Sequence, residues 1–333
     1  EMCIRDRAPA AQAVATEPAP TETVPTIPME VHTMAAADFV YEDDISATPF
    51  WGQSQYLRKD VNTLTFQSSL QNAPSSAWNV SEAGDRSVLA WMNNGDLYVA
   101  ADGAIAPNPD ASWLLQDFVN LKTIKFGNCF DTSSVTDMCA MFIDCTSLTS
   151  LDLSGFDTSS VTDMGAMFQN CASLTSLDVS SFDTSNVTHM FFMFDCCESL
   201  TSLDLASFDT SNVIDMDAMF GGCKRLTGLD LSGFDTSNVT SMDYMFSNCE
   251  DLTSLDLSGF DTYLLAAACA QFPLPIITGI GHERDDTVLD SVAHTRVKTP
   301  TAAAEYLINC MDLAADELEV LISQLHESVR SRL

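Results

Sequence analysis

Aspartate returns every 26 residues as Asp152, Asp178, Asp204, Asp230 and Asp256, and a second set, Asp157, Asp183, Asp209, Asp235 and Asp261, keeps the same step. A regular row of carboxylates can hold cationic side chains of a partner, or calcium, which takes several carboxylate oxygens. Cysteine keeps the step too, at Cys145, Cys171, Cys197, Cys223 and Cys249. One thiol per repeat sends every side chain in the same direction, which disfavours disulfide or zinc chemistry. Buried small residues in a ladder are expected instead, with Cys196-Cys197 the one pair open to other chemistry. A different constellation stands near the C-terminus: His282, Glu283 and Asp285, followed by Arg296.

The rows ride on a repeat. Phe130, Phe156, Phe182, Phe208, Phe234 and Phe260 keep the 26-residue step, as do Met138 to Met242 and Met141 to Met245. Such a period means a solenoid, in which no single unit can bury its apolar face but stacked neighbours can. Leu148, Leu151 and Leu153 fit an L-x-x-L-x-L strand whose alternate leucines point inward. Asp157-Thr158-Ser159 reads as a turn and a possible helix N-cap. Met164, Met167 and Phe168 have the i, i+3, i+4 spacing of one helical face, and read as core filler, not as a copper site. The expected unit is a strand, a turn and a short helical return, so the fold class is α/β. Between the inward leucines the Asp152 row faces out. Neighbouring strands lie about 4.8 Å apart, so adjacent carboxylates repel by roughly 0.9 kcal/mol in water. Counterions, raised pKa values or a cationic partner must offset that, unless the row is only a solvated face of turn-forming aspartates. No cofactor is expected, calcium being the one ion the row would suit.

The unit Leu-Thr-Ser-Leu-Asp-Leu-Ser-Gly-Phe-Asp-Thr-Ser-Asn-Val-Thr-x-Met-x-x-Met-Phe-x-x-Cys resembles the BspA-type leucine-rich repeats of bacterial surface proteins over about residues 60–262. The same unit is known from mycoplasma lipoproteins. The resemblance implies a cell-surface or secreted protein that binds host matrix proteins or other cells, and no catalytic residues. The end of the chain resembles the exodeoxyribonuclease VII large subunit, through Gly279, Gly281, His282, Glu283, Asp285, Asp290, Arg296, Thr299, Pro300 and Thr301. That resemblance implies hydrolysis of single-stranded DNA to oligonucleotides in the cytoplasm, with a small subunit as partner. His282 would act as acid/base, Asp285 would orient it or assist phosphoryl transfer, and Arg296 would contact phosphate. It covers only residues 263–333, without the family's OB-fold or most of its catalytic domain, so an inactive fragment joined artefactually near Thr262 is expected.

The remaining segments frame these two. Residues 1–7 resemble a translated sequencing adapter and are set aside. Residues 8–48, rich in Pro, Ala and Thr, read as a disordered linker. Residues 49–120 hold all four tryptophans and read as a β-rich cap for residues 121–262, with Asn93-Asn94-Gly95-Asp96 a hairpin turn. The net charge of −33 argues against binding driven by a nucleic-acid backbone, and residues 8–262 carry 35 acidic against 7 basic side chains. From Thr299-Pro300-Thr301 an amphipathic helix is expected to run to Leu333.

Overall fold

A computed structural model describes residues 29–37, 40 and 44–256, and the backbone of two short strands further on. Elements are β1 (Val31–Thr33), β2 (Thr63–Gln67), β3 (Trp78–Asn79), β4 (Val88–Asn93), β5 (Asp96–Ala101), β6 (Ala104–Ala106), β7 (Thr123–Lys125), β8 (Gly228–Asp230) and β9 (Ser254–Asp256). The later strands are β10 (Ile277–Gly279) and β11 (Thr295–Val297), a parallel pair. The regular structure among the described residues is mostly sheet.

The N-terminal part is a five-stranded sheet in the order β3-β4-β5-β2-β7. β4 and β5 form the expected hairpin, with Asn93 opposite Asp96. Asn94 and Gly95 both have positive φ, 51° and 90°, the conformation that a two-residue turn needs. One face of this sheet joins the main core through Leu64, Leu97 and Val99. On the other face Trp91 stacks on Tyr98, with ring centroids 5.4 Å apart, above Ala77 and Leu89. β2 pairs in parallel with β7, whose Ile124 belongs to the first leucine-type segment. The sheet therefore occupies the place of a preceding coil and covers the first layer of the stack. Buried Arg58 ties the two parts together: its Nε donates to the Gln116 carbonyl, and its Nη1 to Thr48 Oγ1 and the Pro49 carbonyl.

From Asp110 onward the chain winds in parallel coils. Isolated bridges join Asp110, Asp137, Asp163, His189, Asp215 and Ser241 in one column, each residue against the next. The Asp110 coil lacks the methionine-cysteine signature and begins ahead of the repeat legible in the sequence. Ala111, Leu114, Leu115 and Phe118 take the buried positions that Met138, Met141, Phe142 and Cys145 hold one coil later.

The expected helical return is not a helix. Met138, Ala140, Phe142 and Asp144 send their N–H groups to the carbonyls of Asp163, Gly165, Met167 and Gln169 in the next coil. The intervening N–H groups of Met141, Ile143 and Cys145 bond back three residues within their own coil. Half of the donors are thus spent between coils, and none of these bonds has the i→i−4 span that an α-helix requires. Ala140 and Asp144 have positive φ, 55° and 60°, and the same pattern recurs at Ala166 and Asn170, Phe192 and Cys196. The i, i+3, i+4 spacing that suggests a helix also suits this chain of tight turns, because both put those positions on one side.

The core runs unbroken from Met34 to Leu252. Leu148, Leu151 and Leu153 point inward as expected, and both methionine rows are buried. Phe142, Phe168, Phe194, Phe220 and Phe246 stack nearly parallel, with centroids 5.6, 5.7, 5.8 and 6.0 Å apart. These spacings lie within the range that favours offset aromatic stacking.

Candidate functional site

Asp152, Asp178, Asp204, Asp230 and Asp256 are all exposed, one per coil, and Asp230 pairs with Asp256 across β8 and β9. Each segment is extended, so alternate side chains face opposite ways, leucine in and aspartate out. The carboxylates also act locally. Asp152 Oδ1 accepts bonds from the Ser154 N–H and hydroxyl, at 3.1 and 2.7 Å. Asp178 does the same with Ser180, while Asp204 and Asp230 accept the N–H two residues on. The serine hydroxyls, more than any other group, hold Asp152, Asp178 and Asp230 below the usual carboxylate range. At these three positions raised pKa values are therefore not what relieves repulsion. Hydrogen bonds that favour the charged form offset it, and these carboxylates stay ionised at neutral pH.

The Asp157 row follows the same rule. Asp157, Asp183, Asp209 and Asp235 each accept the N–H of the serine two residues on. Between them, where the sequence suggests a helix N-cap, runs a ladder of threonines. Thr132, Thr158, Thr184 and Thr210 are buried, and each hydroxyl bridges to the next coil. Thr184 Oγ1, for example, donates to the Asp209 carbonyl at 2.9 Å and accepts the Asp209 N–H at 2.8 Å. The signal was present, a threonine in every Phe-Asp-Thr-Ser, but a buried hydroxyl and a surface one look alike in sequence.

The cysteine row is a buried ladder of free thiols, as expected. Each thiol reaches a backbone carbonyl of the preceding coil: Cys171 Sγ donates to Phe142 O, Cys197 to Phe168 O and Cys223 to Phe194 O, at 3.2–3.3 Å. Each of these carbonyls also accepts a backbone N–H of its own coil, and the thiol adds a second, weak bond that alanine could not make. Burial pushes the Cys197 thiol up to about 12. Cys196 and Cys197 do not pair. Cys197 is buried, and Cys196 is half-buried on the turn edge against Gly222.

One edge departs from the repeat. Where other coils have Gly165-Ala166 or Cys139-Ala140 between their methionines, one has Phe191-Phe192 and another Asp243-Tyr244. Phe192, Ile214 and Tyr244 are 37%, 39% and 62% exposed. The signal for them in the sequence is deviation from the repeat consensus. Among the described residues no cluster of three or more His, Cys, Asp or Glu could hold a metal ion. His282 and Asp285 lie outside the described residues. Arg296 lies in β11, where its backbone pairs with Thr278.

The geometry defines a class, a repeat protein of stacked parallel coils. Residues 114–226 and 197–272 match the family described as "Mycoplasma protein of unknown function, DUF285". Residues 253–333 match "Exonuclease VII, large subunit". Both expected resemblances are thereby borne out. Curated relatives of the second segment include exodeoxyribonuclease 7 large subunits from Deinococcus radiodurans, 49% identical over 55 residues, and Exiguobacterium, 47% over 60. These cover 16% and 18% of this chain, and the chain spans only 13% of either relative. A solved T. pallidum leucine-rich repeat protein aligns over 56% of this chain and 94% of its own, at 17% identity and a TM-score of 0.34. No helix among the described residues is long and apolar enough to cross a membrane.

Proposed function

We propose that the coil stack is a non-catalytic binding scaffold, exposed on a bacterial surface or secreted, whose partners are host or cell-surface proteins. The observation that carries this is the unbroken row Asp152, Asp178, Asp204, Asp230 and Asp256, presented outward from a fully packed core. Several of its carboxylates are held ionised by their own serines, so the charge is available to a cationic partner. The match to the mycoplasma family supports the reading. Purified matrix and cell-surface proteins flowed over immobilised full-length chain test it. Retention should weaken as salt rises and fall further in Asp178→Asn/Asp204→Asn. Absence of binding to every such protein at low salt would defeat the proposal.

A second reading rests on the match of residues 253–333: hydrolysis of single-stranded DNA, with a small subunit as partner. His282 would move the proton, Asp285 would orient it and Arg296 would hold phosphate. We favour the first reading, with the nuclease-like segment an inactive piece joined to the stack. The acidic charge of the chain repels the substrate of the second reading.

A further inference from the structure

Phe192 and Tyr244 occupy the same position of two coils separated by one, and Ala218 occupies it in the coil between. All three have positive φ, 54°, 59° and 47°. The column is tied coil to coil by the bonds Phe192 N–H to Asp217 O, and Ala218 N–H to Asp243 O, both 2.7 Å. Two coil steps amount to about 10 Å. The backbone positions that carry the two exposed rings therefore stand about 10 Å apart with buried Ala218 between them, room for roughly one side chain. Phe191 backs Phe192 on the side away from Ala218: its ring lies over Gly165 of the preceding coil, where a Cβ would fall 2.4 Å away, and meets Phe192 edge-on at 6.1 Å.

The adjacent column supplies charge. Asp217, whose Oδ1 accepts the Ser241 hydroxyl and the Asp243 N–H, precedes the floor residue Ala218, and exposed Asp243 precedes Tyr244. Asp215 sits two residues earlier, half-exposed, with its Oδ1 turned to the Asp217 N–H. Aromatic residues cost stability when exposed and held at positive φ; three other coils place alanine here, and the Asp110 coil places half-buried Trp113. Ile214 likewise stands where Thr136, Thr162, Thr188 and Thr240 form a hydroxyl ladder along neighbouring coils. These departures from the consensus fall on one edge of three successive coils.

We infer that the Phe192–Ala218–Tyr244 slot receives a lysine or arginine side chain from an extended segment of a partner protein. The alkyl stem lies on Ala218 between the rings, and the cation faces ring π-density and the Asp215, Asp217 and Asp243 carboxylates. Charge complementarity selects this occupant. A second copy of a chain with net charge −33 would bring like charge to an acidic edge. The inference rests on the reading of the stack as a binding scaffold and names the site and the chemistry of its partner.

The test uses full-length chain and a fluorescent peptide of alternating lysine and glycine, with its fully acetylated counterpart, read by anisotropy at low salt. The acetylated peptide should bind at least about tenfold more weakly. Phe192→Ala and Tyr244→Ala should each cost about two- to fivefold, and about tenfold together. The melting temperature should not fall, because alanine is what three other coils carry at this position. Ala218→Phe should also weaken binding, although it adds an aromatic ring, because it fills the slot. Binding unchanged in the double variant, equal binding of the acetylated peptide, or self-association of the chain without peptide capture would each overturn the inference. If matrix proteins still bind the chain while these variants change nothing, the scaffold reading survives and only the slot falls. If the slot variants lose the peptide but no matrix protein binds, the reverse holds.

Discussion

Asp117→Asn should stabilise the protein at neutral pH. Asp117 is half-buried, and its Oδ2 has no hydrogen-bond partner. Burial, and then the charge of Asp144 in the next coil, raise its carboxyl from 3.8 to about 6, against a smaller opposing pull from Arg58. The folded state therefore prefers the neutral acid. Its ionisation costs nothing below the unfolded pKa, begins to cost as pH rises past 3.8, and costs its full amount above 6. At 1.36 kcal/mol per pH unit the whole displacement is worth about 3 kcal/mol, and solvent reaching the half-buried group brings this to about 1–3 kcal/mol. Asparagine suits the site. It tolerates the positive φ of 59°, and Asn170, at the same position two coils on, already donates to Asp144 Oδ1 at 2.6 Å. Urea unfolding of both proteins at pH 4, 5, 6 and 7 should show equal stability at pH 4 and a widening gain for the variant above it. A variant less stable than the parent at pH 7 would refute the reasoning, and would mean that the pull of Arg58 outweighs burial.

Thr184→Val keeps the shape but strips both bonds to Asp209, so it should cost about 2–4 kcal/mol in urea melts, whereas Ser185→Ala should cost less than about 0.5. Phe194→Ala opens a gap in the middle of the ring stack and should cost about 3–5 kcal/mol, read as a lower urea midpoint. With Cys3, Cys269 and Cys310 replaced by serine, the ladder thiols should resist iodoacetamide at pH 8 in the folded protein and react fully in urea. Burial holds Cys197 and Cys249 near 12, so almost no thiolate is present. Ser180→Ala should move the Asp178 carboxyl up toward 3.8 in an NMR titration, because the serine hydroxyl is the main group that lowers it.

The sequence carried the coil step, the inward leucines, the buried methionine and cysteine rows and the Asn94-Gly95 hairpin, because each depends on side-chain periodicity or a local φ requirement. It misled about the segment from Met138 to Cys145. Spacing cannot show whether an N–H bonds back along its own chain or across to the next coil, and here both occur in alternation. It also left the roles of its aspartates open. The Asp137, Asp152 and Asp157 rows all accept an N–H two residues on, so much of the acidity serves the turns first. The Asp110 coil was hidden because Ala111, Leu114 and Phe118 fill methionine and cysteine positions with other apolar residues. The Phe192 and Tyr244 edge was hidden for the opposite reason, since a search for what recurs passes over what deviates.

The coil stack is proposed to work by binding, with no turnover from the nuclease-like segment. The most direct measurement incubates full-length protein with an end-labelled single-stranded oligonucleotide, with and without magnesium, beside His282→Ala. The account predicts that the oligonucleotide stays intact in every tube. Short fragments from the parent that disappear in His282→Ala would contradict it.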